Sequence, residues 1–286
     1  MLYILLSICC SVIVSVLLKL ARRYQVDVFQ AITWNYSMTI LLTWLFLKPQ
    51  FHNLDSAPVF SYLVLALLLP SVFVVLAVSV RLSGIVRTDI AQRLSLFIPI
   101  IAAFLLLGEH ITLLKAIGII LGFTAIICSI PWKSKSENKR GSGNAWIYLL
   151  AVFIGLGVID VLFRQIALLK AIPYSTSLFI VFVMAFVFSM IGLCYRVITK
   201  KTKFTLPHLF IGWVLGIVNF GNILFYLKAH KALANQPSTV FTAMNIGVIV
   251  MGALVGLIIF KEKLSLLNKA GLAVAIIAII VIAYAA

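Results

Sequence analysis

The sequence predicts an all-α integral membrane protein, ten transmembrane helices built as an inverted repeat of five plus five. Three observations carry that expectation. Hydrophobic residues make up 64% of the 286 residues and charged residues only 10%, more apolar surface than a water-soluble fold hides. The apolar residues fall into ten runs of about 20, the length a helix needs to cross roughly 30 Å of hydrocarbon at about 1.5 Å per residue. A segment late in the first half, LLLGEHITLLKAIGIILGF (105–123), is echoed late in the second by IIFKEKLSLLNKAGLAVAI (258–276).

The runs follow one another with short polar breaks. Span one covers 2–20 and closes on Lys19, Arg22 and Arg23; span two covers 28–47 and closes on Lys48 and Pro49. Span three covers 59–80, span four 88–107 with Pro99 inside it, and span five 113–130, closed by Pro131 and Trp132. The most polar stretch, KSKSENKRGSGN (133–144), reads as a flexible linker because Gly, Ser and Lys favour solvated coil. Spans six to ten cover 145–168, 175–197, 206–227, 239–260 and 266–283. The organisation is therefore a five-helix unit at 1–132, a basic linker at 133–144 and a second five-helix unit at 145–286. The first run lacks a basic leader and a small-residue cleavage site, so it is expected to be a retained span.

The repeat can be followed residue by residue. A shift of 153 lays Glu109 on Glu262, Thr112 on Ser265, Leu113 on Leu266, Leu114 on Leu267, Gly118 on Gly271 and Gln92 on Asn245. Near the start of each half a shift of 145 matches Lys19 with Arg164 and Ser15 with Asp160. Five is odd, so the second copy enters the membrane from the opposite face. That is the plan of secondary transporters, with a site near the midplane between inverted halves.

The net charge of +16 sits in short clusters between apolar runs, as in loops flanking membrane spans rather than a nucleic-acid surface. Cys9, Cys10, Cys128 and Cys194 lie within apolar runs without a CxxC pair, which argues against a disulfide framework or a metal site. His52, His110, His208 and His230 read as loop or span-end residues, and no HExxH or GxSxG motif occurs. No enzyme activity, cofactor or metal is expected.

Ionisable and amide groups inside spans are the candidate site residues. Asp160 and Arg164 stand four apart and share a helix face, as do Asp89 and Arg93. A charge in a membrane is expensive unless paired or lining water. Each pair is either an ion pair near a helix end or the wall of a cavity. Asp160, with Arg164 one turn away, is the proton-coupling candidate: an alternating-access cycle that moves Arg164 or admits water would load and release its proton. Trp34, Asn35, Tyr36, Gln92, Arg93, Asn219, Asn222, Tyr226 and Asn245 are the substrate-binding candidates. Their competing reading is interhelical hydrogen bonding, or an aromatic belt for Trp34 and Tyr36. Glu109 and Glu262 are expected to cap the helices that follow them. Gly118-xxx-Gly122, Gly212-xxx-Gly216 and Gly252-xxx-Gly256 are expected to let helices approach closely within the chain.

The chain resembles the drug/metabolite transporter superfamily, in particular its EamA-like ten-span members. The resemblance rests on the five-plus-five plan, on LLLGEHITLLKAIG and IIFKEKLSLLNKAG, and on the basic residues Lys19 and Arg164. The family's Gly-Glu step is kept at Gly108 and Glu109 but becomes Lys261 and Glu262 in the second half. The resemblance implies a carrier of a small metabolite, such as an amino acid or sugar, in a bacterial inner membrane. The expected partners are that solute and membrane lipid, with the chain a monomer or weak homodimer. The alternative is a flippase for a lipid or lipid-linked sugar.

Of the 23 Lys and Arg residues, 17 fall on the face of loops one–two, three–four, five–six, seven–eight and nine–ten, and 6 on the other. The positive-inside rule puts the 17 in the cytoplasm and both termini outside, whereas the resemblance implies both termini inside. The charge count predicts that a cysteine placed in 133–144 resists a membrane-impermeant thiol label in intact cells. Labelling from outside would reverse the orientation.

Overall fold

The computed structural model describes residues 2–23, 26–51, 54–83, 85–105, 112–129, 145–199, 202, 204–258 and 266–285. The expected linker and the turns holding Glu109 and Glu262 lie outside these residues, as do the side chains of Lys19 and Asp89. Every regular element among the described residues is helical. The first half holds α1 (Leu2–Arg23), α2 (Val28–Leu42), α3 (Val59–Ser83), α4 (Ile85–Leu94), α5 (Phe97–Leu105) and α6 (Leu113–Ser129). The second holds α7 (Ala145–Ala167), α8 (Tyr174–Ile198), α9 (Leu206–Ala232), α10 (Pro237–Ile258) and α11 (Leu266–Ala285).

Five stretches are long and apolar enough to cross a membrane: Val59–Val80, Trp146–Ala167, Tyr174–Ile198, Leu206–Ala232 and Pro237–Gly256. Shorter apolar helices accompany them at Leu2–Leu17, Ala91–Leu105, Leu113–Ala125 and Lys269–Ile282. The second expected span is α2 running into a π-helical turn, Thr43–Leu47. Lys48 then takes φ 43, a left-handed residue that closes the helix where Pro49 cannot extend it.

The fourth expected span is not continuous. Pro99 has no N–H for the Ser95 carbonyl. The Ile98 N–H takes that carbonyl instead, at 3.1 Å, and this tighter closure divides the span into α4 and α5.

Both halves feed one apolar core. Its largest fully buried side chains include Tyr36, Tyr62, Leu65, Phe182 and Phe241. A second cluster, Ala125, Ile246, Ala275, Ala278 and Ile282, forms where α6, α10 and α11 meet. The outside is equally greasy: Phe60 and Leu113 are 81% exposed and Leu266 86%. Such a surface is stable against lipid tails and not against water.

Helix packing follows a definite list. α6 lies along α11, and α2 packs on α9 and α8. α1 packs on α9 and α10, α3 on α7 and α8, and α4 and α5 on α7. The α2–α9 approach needs glycine. A Cβ on Gly212 would sit 2.7 Å from the Ala31 carbonyl oxygen, and one on Gly216 2.7 Å from the Asn35 carbonyl oxygen. Gly118 and Gly122 likewise admit Ile282 and Ile246. Gly252 corrects the expectation for the third glycine pair: nothing lies within 4 Å of its Cβ position, because α10 faces open space there.

Gly216→Val is expected to destabilise by about 1–3 kcal/mol through overpacking against backbone that cannot yield. Gly252→Ala is expected to be neutral, or stabilising by up to about 1 kcal/mol through helix propensity. Melting of the two variants in one detergent checks the contrast.

Candidate functional site

Two helices bring the interior ionisable groups together. α7 presents Asp160 and Arg164 one turn apart, α9 presents Tyr226 and His230 one turn apart, and the two helices pack. The Tyr226 hydroxyl donates to Asp160 Oδ1 at 3.0 Å. Arg164 is buried, and its Nη2 donates to the Ala234 carbonyl at 3.1 Å. His230 is fully buried, with the rings of Tyr226 and Phe241 each 4.7 Å away. Neither of its ring nitrogens has a hydrogen-bond partner, so packing alone does not account for a polar ring at this depth.

Sequence reasoning placed His230 at a span end, and it does lie in the last turn of α9, but fully buried. The signal was available: Tyr226-xxx-His230 repeats the spacing of Asp160-xxx-Arg164. The other candidates are dispersed. Asn219 Nδ2 donates to Asn35 Oδ1 at 3.1 Å, tying α9 to α2. Asn222 accepts from Ser7 Oγ at its side chain and its carbonyl, 2.8 and 2.9 Å. Asn245 Nδ2 donates to Phe241 of its own helix at 3.1 Å. Tyr36 is 1% exposed, so it is a core residue and not an interfacial anchor. Trp34 lies against Phe186 and Phe204, with centroids 6.3 and 6.0 Å away. Gln92 is exposed and Arg93 partly buried on α4, which packs on α7.

Two polar ties between the halves were not legible beforehand. At one, Asp27 caps α2, accepting from the Phe29 and Gln30 N–H groups at 2.9 and 3.4 Å. Asp27 also accepts from the Thr202 hydroxyl and faces the Arg196 guanidinium at 3.8 Å. Gln30 Nε2 donates to Thr202 Oγ1 at 3.2 Å. At the other, the Gln50 N–H donates to Thr176 Oγ1 at 3.1 Å and the Thr176 hydroxyl donates back to the Gln50 carbonyl at 2.8 Å. Beside this second tie opens a cavity of ≈ 720 Å³ lined by Gln50, Lys170, Tyr174 and Lys231 among others.

Comparison with known proteins agrees with this architecture. Residues 1–130 match the EamA-like transporter family. The chain belongs to that family. The EamA-like match lies within the drug/metabolite transporter superfamily, whose EamA members are transporters. An uncharacterised protein of Haemophilus influenzae is 40% identical over 290 residues, 98% of this chain and 97% of its own. A solved crystal structure shares the fold at a TM-score of 0.74, covering 99% of each chain at 14% identity. The EamA-like chain is thus a multi-pass membrane protein.

Asp27 lies outside the spans of this EamA-like protein. Burial pushes its carboxyl up, but the Thr202 hydroxyl, the Arg196 charge and the two backbone N–H groups outweigh that and hold it below the usual carboxylate range. A depressed folded-state value means the tie contributes fully at neutral pH. The contribution fades as the pH falls through the carboxylate range, below about 4. Asp27→Asn should therefore melt lower than the parent at pH 7, and the gap should close on acidification. An unchanged gap across that range would contradict it.

Proposed function

We propose that the chain is a ten-span secondary transporter that moves a small metabolite across the bacterial cytoplasmic membrane by alternating access, with Asp160 as the proton-carrying group. The observation that carries this reading is the reciprocity of helix contacts. Let each half be numbered one to five, with α4 and α5 together as the fourth span. Span two of the first half meets span three of the second (α2 on α9), and the converse holds (α8 on α3). Span one meets three both ways (α1 on α9, α7 on α3) and meets four both ways (α1 on α10, α7 on α4 and α5). Spans two and five meet their own counterparts, α2 on α8 and α6 on α11.

A two-fold relation between halves generates such a list, and inverted five-span units supply the two-fold. The polar ties obey the same relation: Gln30 near the start of α2 reaches Thr202 beyond α8, and Thr176 near the start of α8 reaches Gln50 beyond α2. Departures include α10, which packs on both α6 and α11, and α7, which packs on α9 with no matching packing of α1 on α3 among the described residues. Matched ties on opposite faces can open in turn while the shared core between them persists.

The Asp160–Tyr226 pair suits a carrier of protons. Protonation removes the charge that Tyr226 stabilises, and His230 and Arg164 lie within reach of the change. A largely apolar groove of ≈ 480 Å³ on α8, lined by Met190, Ile191 and Tyr195 among others, suits an acyl chain, and its described wall holds no charged side chain for a headgroup. That favours the soluble solute over the flippase.

Reconstituted protein under an imposed pH gradient tests the reading. Radiolabelled amino acids, monosaccharides and carboxylates are offered one class at a time. At least one is expected to accumulate with the gradient in the parent. Asp160→Asn should lose that response while melting near the parent temperature. If no class moves, or if Asp160→Asn responds fully, the reading fails. Recovery of stability only in Asp160→Asn/Arg164→Gln would reassign the pair to structure.

A further inference from the structure

We propose that the cavity beside Gln50 is an anion-binding vestibule, and that the transported solute carries a carboxylate or phosphate group. This rests on the transporter reading above and adds the substrate class to it.

The argument begins with charge. The face that holds this cavity carries only 6 of the 23 Lys and Arg residues: Lys48, Lys115, Arg164, Lys170, Lys228 and Lys231. Four of them lie where α7 and α9 end, around the cavity. Lys170 and Lys231 are part of its wall. Arg164 stands directly behind, its Nη2 on the carbonyl of Ala234, another wall residue. Four of that face's six cations thus gather near one mouth.

Among the described residues no acid pairs with the two lining lysines, Lys170 and Lys231. No Asp or Glu is among the cavity's described lining residues. The Lys231 ammonium rests over the Tyr174 ring at 5.3 Å, and Lys228 over the Tyr3 ring at 5.8 Å. Such contacts orient a cation while leaving its charge uncompensated. Lys170 has no hydrogen-bond or ion-pair partner among the described residues. Below the mouth, His230 adds a fully buried ring whose two nitrogens lack partners. A walled space of ≈ 720 Å³ holds a small metabolite. Clustered cations in a cleft raise the local concentration of anions.

The oxyanion could belong to a solute or to an anionic lipid headgroup, and the experiment separates them. Full-length protein is placed in nanodiscs of phosphatidylcholine alone. Its melting is followed with citrate, glutamate and inorganic phosphate, and with putrescine and glucose, all at one ionic strength. At least one anion should stabilise, putrescine and glucose should not, and affinity should fall roughly tenfold for each of Lys170→Gln and Lys231→Gln. Both residues are exposed, so neither change threatens folding.

No stabilisation by any anion overturns the proposal. So does stabilisation that survives both substitutions, or stabilisation that requires phosphatidylglycerol in the disc, which assigns the mouth to lipid. Because binding is read without transport, the two readings fail separately. Anions that bind but never move sink the carrier and keep the vestibule; a neutral solute that moves sinks the vestibule and keeps the carrier.

Discussion

In hydrocarbon a polar side chain has no water to fall back on, so it must find its partner on another helix or its own backbone. Most of this architecture follows from where those partners are. Asn35 with Asn219, Ser7 with Asn222, Tyr62 with Ser177 and Ser37 with Trp213 each join a helix of the first half to one of the second. All are neutral, and each is worth about 1 kcal/mol net. Pairs of that size hold two halves in register without locking them.

The ionisable pair is placed differently. Asp160 and Tyr226 belong to the same half, so movement between halves need not break their bond. It can alter what surrounds them instead. The α4–α5 break keeps its backbone paired through tighter turns, the Leu96 N–H on the Arg93 carbonyl at 3.4 Å and the Ile98 N–H on the Ser95 carbonyl at 3.1 Å, and such a break within a spanning segment is tolerated where protein or a polar cavity covers it. The two polar ties differ in strength. The one at Asp27 combines a carboxylate, a guanidinium and two side-chain hydrogen bonds, while the one at Thr176 is a neutral exchange with the Gln50 backbone. The cavity beside Gln50 therefore lies at the weaker of the two ties.

Much of the helical plan was legible because hydropathy and length report it directly: the run read at 175–197 is α8, Tyr174–Ile198. Pro99 was visible too, but its effect depends on which carbonyl loses a donor. What sequence withheld was partnership. Gly212 and Gly252 open identical four-residue steps, yet one presses on Ala31 and the other meets nothing. The difference is made by a helix some 180 residues away. Asn219 and Asn222 were read together as cavity lining or interhelical hydrogen-bonders, and the structure gives each a partner on a different helix of the other half. His230 was read only as a loop or span-end residue because its importance lies in what encloses it.

The central claim is that the two ties are matched closures that open in turn. In a cysteine-free background, Gln30→Cys and Thr202→Cys are joined by a disulfide in liposomes. The rate at which a water-soluble maleimide reacts with Thr176→Cys in the same protein is then measured. If the closures alternate, locking the first tie speeds reaction at Thr176→Cys by holding the second open. An unchanged or slower rate would mean that the faces do not communicate, and the account would fall.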